Sequence, residues 1–262
     1  MQSHKRLGNT DIIVPILGLG TVKIGRNQEV KYPNAFSIPD DQAVIELLAT
    51  AKDLGVNFID TAPAYGTSEE RLGKLLPGKR DEWVIMSKAG EDFYNGESSF
   101  DFSPKAIAAS VKRSLKRLKT DYLDIVLIHS NGEDEKIIES DDVFGTLSEL
   151  KQQGYLRSFG MSTKTIEGGR LCVEHADVAM VAYNLQDQEC LPVIEYANEL
   201  KKGILIKKAF ASGHALNNPS SAEQTCLDTF KLIFENSAVA SIIVGTLNPL
   251  HLRQNWEAAL GP

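Results

Sequence analysis

Eight short runs rich in apolar residues punctuate the chain: ILGLGT (16–21), VNFIDTA (56–62), WVIMSKA (83–89), YLDIVLIH (122–129), LRSFGMS (156–162), DVAMVAY (177–183), GILIKKA (203–209) and SIIVGT (241–246). Each is strand-sized. Several are too continuously apolar for a sheet with one wet face, so they predict buried parallel strands. Between them apolar positions recur at helical spacing. Val44, Leu47, Leu48, Ala51 and Leu54 follow Asp40-Asp41, which can cap; Thr67 with Glu70 makes a capping-box pattern; Ser103-Pro104 puts a cap before a proline at the first helical position. Ile107, Val111, Leu115 and Leu118 line one face of the helix that Ser103 opens. Further helices are expected at about 142–154, 167–175, 190–202, 222–236 and 248–259. Ahead of this pattern, segments around Lys5–Leu7 and Ile12–Val14 flank Gly8-Asn9-Thr10-Asp11 and predict a β-hairpin.

Eight β-then-α units without a linker or compositional break between them predict one α/β domain over residues 1–262, a (β/α)8 TIM barrel with an N-terminal β-hairpin. The rival is an open doubly wound sheet. Its usual warrant is absent, because GLGTVK at the first strand lacks the third glycine of a dinucleotide fingerprint.

Composition narrows the function classes. With 262 residues, 42% of them hydrophobic and 24% charged, the chain can bury a large core; collagen, disorder and a disulfide-built miniprotein are excluded. The net charge of −7 gives no basic footprint for nucleic acid or an acidic membrane surface, while leaving a small anionic ligand open. The basic run VKRSLKRLKT (111–120) interleaves with an apolar stripe and reads as a solvated outer helix face. Cys172, Cys190 and Cys226 form neither a CxxC pair nor a cysteine–histidine spacing, so the expectation is no metal and reduced thiols in a cytoplasmic protein. No apolar run approaches the roughly 18 residues of a membrane span. No P-loop, GxSxG elbow or HExxH pair is present.

In a barrel, catalytic groups sit at the C-terminal ends of strands and in the loops that follow. That rule selects Asp60 and Tyr65 in FIDTAPAYGTSEE, Lys88 in IMSKAG and His129 in VLIHS. Singly, each has a plain reading: a turn cap, a half-buried loop aromatic, a solvent-reaching amine, a satisfied core histidine. Jointly they place an acid, a phenol, an amine and an imidazole at one partly dry mouth, where unpartnered burial would be costly. This set suits proton transfer. A cation beside Tyr65 would lower its pKa, and Asp60 would hold Lys88 in position.

These segments resemble the aldo-keto reductases along essentially the whole chain. RLGNTDIIVPILGLGT is similar to that family's hairpin and first strand, FIDTAPAYGTSEERLG to its second-strand signature, and MSKAG, LIHS, LKQQGYLRSFGMS and GTLNPLHLRQN to its later landmarks. The resemblance implies a barrel that binds an extended nicotinamide cofactor across its mouth and passes hydride to an aldehyde or ketone. It makes Tyr65 the proton donor, Lys88 its pKa-lowering partner, Asp60 the support for Lys88, and His129 the group that orients the carbonyl or assists the proton relay. It also implies cofactor contacts at Gly20, Thr21, Ser162, Thr163, Gly245, Thr246, Asn248, His251, Gln254 and Asn255. The chain departs from the family at several points. Thr163 stands where asparagine is frequent, Met180 where glutamine often binds the carboxamide, and Lys207-Lys208 where many relatives have an aromatic residue that stacks on the nicotinamide. Strand neighbours point to opposite faces, so one lysine should enter the mouth. Lys207 is the choice, as a contact to cofactor phosphate or an anionic substrate. Gly245 and His251 replace the lysine and arginine that grip a 2′-phosphate in many relatives. The resemblance implies NADPH, which the family mostly uses, as the cofactor, and these replacements weaken its advantage over NADH.

Two long mouth segments, 22–39 and 90–103, carry Tyr32, Phe36, Phe93, Tyr94, Phe100 and Phe102 as candidate walls of an apolar substrate pocket. Two competing readings accompany the reductase. One is a nicotinamide-binding sensor module with little turnover. The other, from strand-end logic alone, is a barrel lyase using Lys88 as a Schiff base.

Overall fold

In the computed structural model, which describes residues 2–140, 142–216 and 222–261, seven of the eight apolar runs contain a strand and the eighth, 241–246, overlaps one that begins at Val239. They follow an antiparallel hairpin of β1 (His4–Arg6) and β2 (Ile13–Pro15), with Lys5 opposite Val14. Next come β3 (Leu17–Gly20), β4 (Phe58–Asp60) and β5 (Val84–Ala89). A second hairpin, β6 (Glu91–Tyr94) and β7 (Glu97–Phe100), interrupts the series. The remaining strands are β8 (Leu123–His129), β9 (Leu156–Ser162), β10 (Val178–Ala182), β11 (Gly203–Lys207) and β12 (Val239–Val244). All but the two hairpins pair in parallel, in chain order, and β12 returns to β3 to close an eight-stranded barrel. The open-sheet rival is thereby set aside.

The helices α1 (Val22–Gly25), α2 (Asp41–Leu54), α3 (Ser68–Leu75), α4 (Pro104–Leu118), α5 (Asp134–Ser140), α6 (Val143–Gln152), α7 (Ile166–His175), α8 (Leu191–Glu199), α9 (Ala222–Phe234) and α10 (Pro249–Leu260) lie in the connections between barrel strands and after β12. Of the three starts that the sequence marked with a cap, two are capped as expected; α1 and α5 were not expected. Asp40 accepts from the Ala43 amide, and Ser103 from that of Ala106 ahead of Pro104. Thr67 makes no side-chain cap, because its backbone (φ −88°, ψ 7°) is not extended and the chain enters α3 from a 3-10 turn at Pro63–Tyr65.

Two apolar layers result. The larger packs the outward strand faces against the helices, as with Val44, Leu47, Leu48 and Ala51 of α2. The smaller fills the barrel: Phe58, Met86, Ile125, Leu127, Val178, Met180, Leu205 and Ala240 meet Leu7, Ile12 and Val14 of the first hairpin. The hairpin plugs the end where the strands begin, since Leu7 lies against Gly203 at the start of β11. The opposite end, where the strands finish, is left open. Among the described residues no helix is long and apolar enough to cross a membrane.

Candidate functional site

The open end of the barrel holds a cleft of about 1980 Å3, larger than the ~300–1,000 Å3 of common small-ligand pockets. Asp60, Tyr65, Lys88 and His129 all line it. Lys88 is almost fully buried at the end of β5; its ammonium pairs with Asp60 and donates to Tyr65 Oη and to the Thr61 carbonyl, both at 3.1 Å. The Tyr65 and His129 rings meet edge to face with centroids 6.1 Å apart. Asp60 is set by a buried hydroxyl chain: Thr21 donates to its carbonyl (2.8 Å), Ser68 to Thr21 (2.8 Å), and Ser68 lies 3.0 Å from the Thr61 hydroxyl.

Tyr65 is placed by backbone approach. A Cβ on Gly25 would lie 2.2 Å from the Ser68 nitrogen and 2.3 Å from the Tyr65 carbonyl oxygen, so only glycine lets the turn after β3 seat the tyrosine turn. Gly66 answers it, in the left-handed region (φ +62°) with no room for a side chain beside Gly25 O.

Burial, with the negative charges of Asp60 and Glu91, holds the Tyr65 phenol well above its ordinary value, against a smaller opposing pull from Arg26, so Tyr65 stands as a protonated phenol. The Lys88 ammonium beside it is paired with Asp60.

Glu91 and Arg26 are neighbours that the strand-end rule did not select. Glu91 opens β6, and its carboxylate lies 2.7 Å from His129 Nδ1, bent away from the ring N–H direction. Burial alone would raise the Glu91 carboxyl, but His129, Ser98 and Arg26 together bring it to about 2. Burial lowers the His129 pKa, and Glu91 opposes that shift. Arg26 ties down segment 22–39 through the carbonyls of Ala64 (3.0 Å), Gln28 (2.8 Å) and Glu29 (3.0 Å), and stacks on Phe93. A signal for the second hairpin was present in Asn95-Gly96, where both residues have positive φ, the conformation this dipeptide favours in a two-residue hairpin turn.

Of the six aromatic residues expected to wall a pocket, Tyr32 lines the cleft. Tyr94 is 79% and Phe100 40% exposed, and Phe102 is buried against Gly90. Phe93 carries Arg26 and Phe36 packs on Tyr32, since the hairpin and the long loop use their rings to hold themselves together.

Gly20, Thr21, Ser162, Thr163, Lys207, Gly245, Thr246, His251, Gln254 and Asn255 also line the cleft. The Thr163 hydroxyl is buried without a hydrogen-bond partner. Asn248 does not line it; its side chain caps α10, accepting from the Leu250 amide at 2.9 Å. Met180 is buried in the barrel filling. Lys207 donates to Ser162 Oγ (2.8 Å) and to the Thr163 carbonyl (2.7 Å), and desolvation takes its pKa down to about 7. It is thus held among the residues at the ends of β9 and β11.

The model of the Aldo/keto reductase family matches residues 16–226. An uncharacterized oxidoreductase of Bacillus subtilis, YqkF, is 27% identical over 97% of this chain and 90% of its own length. A protein of Escherichia coli named NADH-specific methylglyoxal reductase is 28% identical over 96% of this chain and 92% of its own. The solved structure of PA4992 from Pseudomonas aeruginosa, assigned to the aldo-keto reductases, superposes with a TM-score of 0.87 at 50% identity, covering 98% of this chain and 93% of that one.

Proposed function

The chain belongs to the aldo/keto reductase family, and from that premise we propose that it reduces an aldehyde or ketone to an alcohol as a single-domain enzyme, with a nicotinamide dinucleotide as hydride source and Tyr65 as proton donor. The observation that carries this reading is the contact of 3.1 Å between Lys88 Nζ and Tyr65 Oη, with Asp60 paired behind the lysine.

The residues fit such a cofactor. The cleft runs from Ser162, Thr163 and Lys207 to Gly245, Thr246, His251, Gln254 and Asn255, and the unpartnered Thr163 hydroxyl offers a carboxamide a buried partner. When bound, the reduced nicotinamide supplies the hydride; the protein's own groups handle charge and proton. A carbonyl oxygen held by Tyr65 and His129 gains negative charge as it is reduced, and a donor aimed at it is worth about 10²–10³ in rate. Tyr65, kept protonated by burial, passes its proton to that oxygen. The phenolate left behind is stabilised by the Lys88 ammonium, which Asp60 keeps in place. With Glu91 ionised beside Nδ1, a proton is favoured on that nitrogen, so His129 offers an Nε2 proton to the carbonyl when the ring is doubly protonated.

NADPH is the proposed cofactor, with NADH close behind because Gly245 and His251 supply no fixed cation for a 2′-phosphate. The NADH specificity named for the E. coli relative supports keeping both in the test. Arg26, Glu91 and Lys23 line the cleft near Tyr65, so small polar carbonyl compounds head the substrate panel. The Schiff-base reading finds no support, since Lys88 donates to three oxygens at once.

The test follows NADPH and NADH oxidation with a panel of aldehydes and ketones, beside Tyr65→Phe. Turnover should drop roughly 10³-fold or more in the variant, with cofactor affinity kept within a few-fold. Binding without Tyr65-dependent turnover on the whole panel would instead identify a sensor module.

A further inference from the structure

Lys207 closes β11, the seventh barrel strand, and stands four strands from Lys88 on the third, on the opposite side of the ring. Two of its ammonium protons go to neutral oxygens, Ser162 Oγ and the Thr163 carbonyl. Among the described residues no carboxylate pairs with it. Its charge is nevertheless felt at the reacting centre, where it opposes protonation of His129.

Ser162, Thr163, Met180 and Lys207 line the same cleft as Tyr65 and His129, so a nicotinamide that serves a carbonyl held at Tyr65 and His129 has room beside Lys207. The oxidised ring is a cation and the reduced ring is neutral. A nearby ammonium in a desolvated cleft therefore repels one redox form and not the other. We propose that Lys207 discriminates between the redox states of the nicotinamide, making the protein bind the reduced cofactor more tightly than the oxidised one. This rests on the nicotinamide-dependent reading above.

The low pKa of Lys207 adds a pH dependence. The charge is present below about pH 7 and lost above it, so discrimination fades as pH rises. The charged and titratable groups around it are Lys208 beside it in the chain, Asp134 and Lys164 in the segments following β8 and β9, Cys190 before α8, and Lys88 and His129 across the mouth. All of these remain in a Lys207 variant, so the difference between variant and wild type isolates Lys207.

The experiment measures dissociation constants of NADP+, NADPH, NAD+ and NADH by calorimetry from pH 6 to pH 8.5 for the wild type, Lys207→Met and Lys207→Arg. The wild type should bind the reduced form at least about tenfold more tightly at pH 6, equivalent to ~1.4 kcal/mol, and lose most of that ratio by pH 8.5. Lys207→Met should show a low ratio at every pH. Lys207→Arg should keep a high ratio without the decline near pH 7, because guanidinium does not titrate there. A ratio unchanged by Lys207→Met, or a wild-type ratio near one at pH 6, overturns the proposal while leaving the reductase reading intact. If Lys207→Met does not fold, a wild-type ratio near one across the pH series overturns it equally. Failure of all four nucleotides to bind the wild type overturns both readings.

Discussion

Lys88 and Lys207 terminate opposite strands of one barrel and are accommodated in different ways. Lys88 is sealed with a carboxylate and three acceptor oxygens in total, whereas Lys207 has two neutral oxygens and a pKa brought down to about 7. A buried ammonium can be neutralised by a partner or by losing its proton. The half of the mouth built the first way carries its own counter-charge. The half built the second way responds to pH and to any charge brought beside it.

The largest test of this contrast removes the partner. Asp60→Ala leaves Lys88 buried without its carboxylate, a change that costs about 3–5 kcal/mol when a buried pair is broken. The melting temperature should fall by roughly 10 °C, and carbonyl reduction should fall with it as Lys88 leaves Tyr65. A variant that melts within a degree or two of the wild type would show the pair to be dispensable.

A second test addresses the histidine between the two halves. Glu91 supports the protonated ring, so Glu91→Gln lowers the His129 pKa. The rate of carbonyl reduction declines as pH rises through that pKa, and the decline should move to lower pH in the variant. Expected alongside is about a tenfold loss of kcat at neutral pH; an unshifted pH profile of kcat would remove Glu91 from any role at His129.

Smaller still is the stability effect on the Lys207 side. Its folded pKa lies below the unfolded value of 10.5, so the unfolded chain holds the extra proton between about pH 7 and 10.5, and wild-type stability gains with pH across that window. Lys207→Met escapes the cost of burying the charge. Its melting temperature should exceed the wild type's by a few degrees at pH 6, with the margin shrinking toward pH 10. The smallest effect is at the far end of the cleft: His251→Arg should shift the NADPH-to-NADH affinity ratio about tenfold toward NADPH, while His251→Ala should change it less than threefold, read by titration with both cofactors.

Much of this molecule was legible along the chain. The eight apolar runs hold the barrel strands, and the polar residues that end the second, third and fourth of them do line one cleft together with Tyr65. Residues 90–103 were less legible. Their aromatic content read as pocket wall, yet Tyr94 points to solvent and Phe93 supports Arg26. Asn95-Gly96 carried the hairpin signal, but the approach of Glu91 to His129 joins residues 38 positions apart across two loops, and no local pattern encodes it.

The sequence by itself determined the barrel, the N-terminal hairpin and the identity of the polar strand ends, because hydrophobic period and turn chemistry are local and additive along the chain. Only the tertiary structure decided how those groups are charged. Whether a buried phenol stays protonated, an imidazole gains a carboxylate neighbour or a lysine loses its proton depends on which groups, distant in sequence, share one desolvated space.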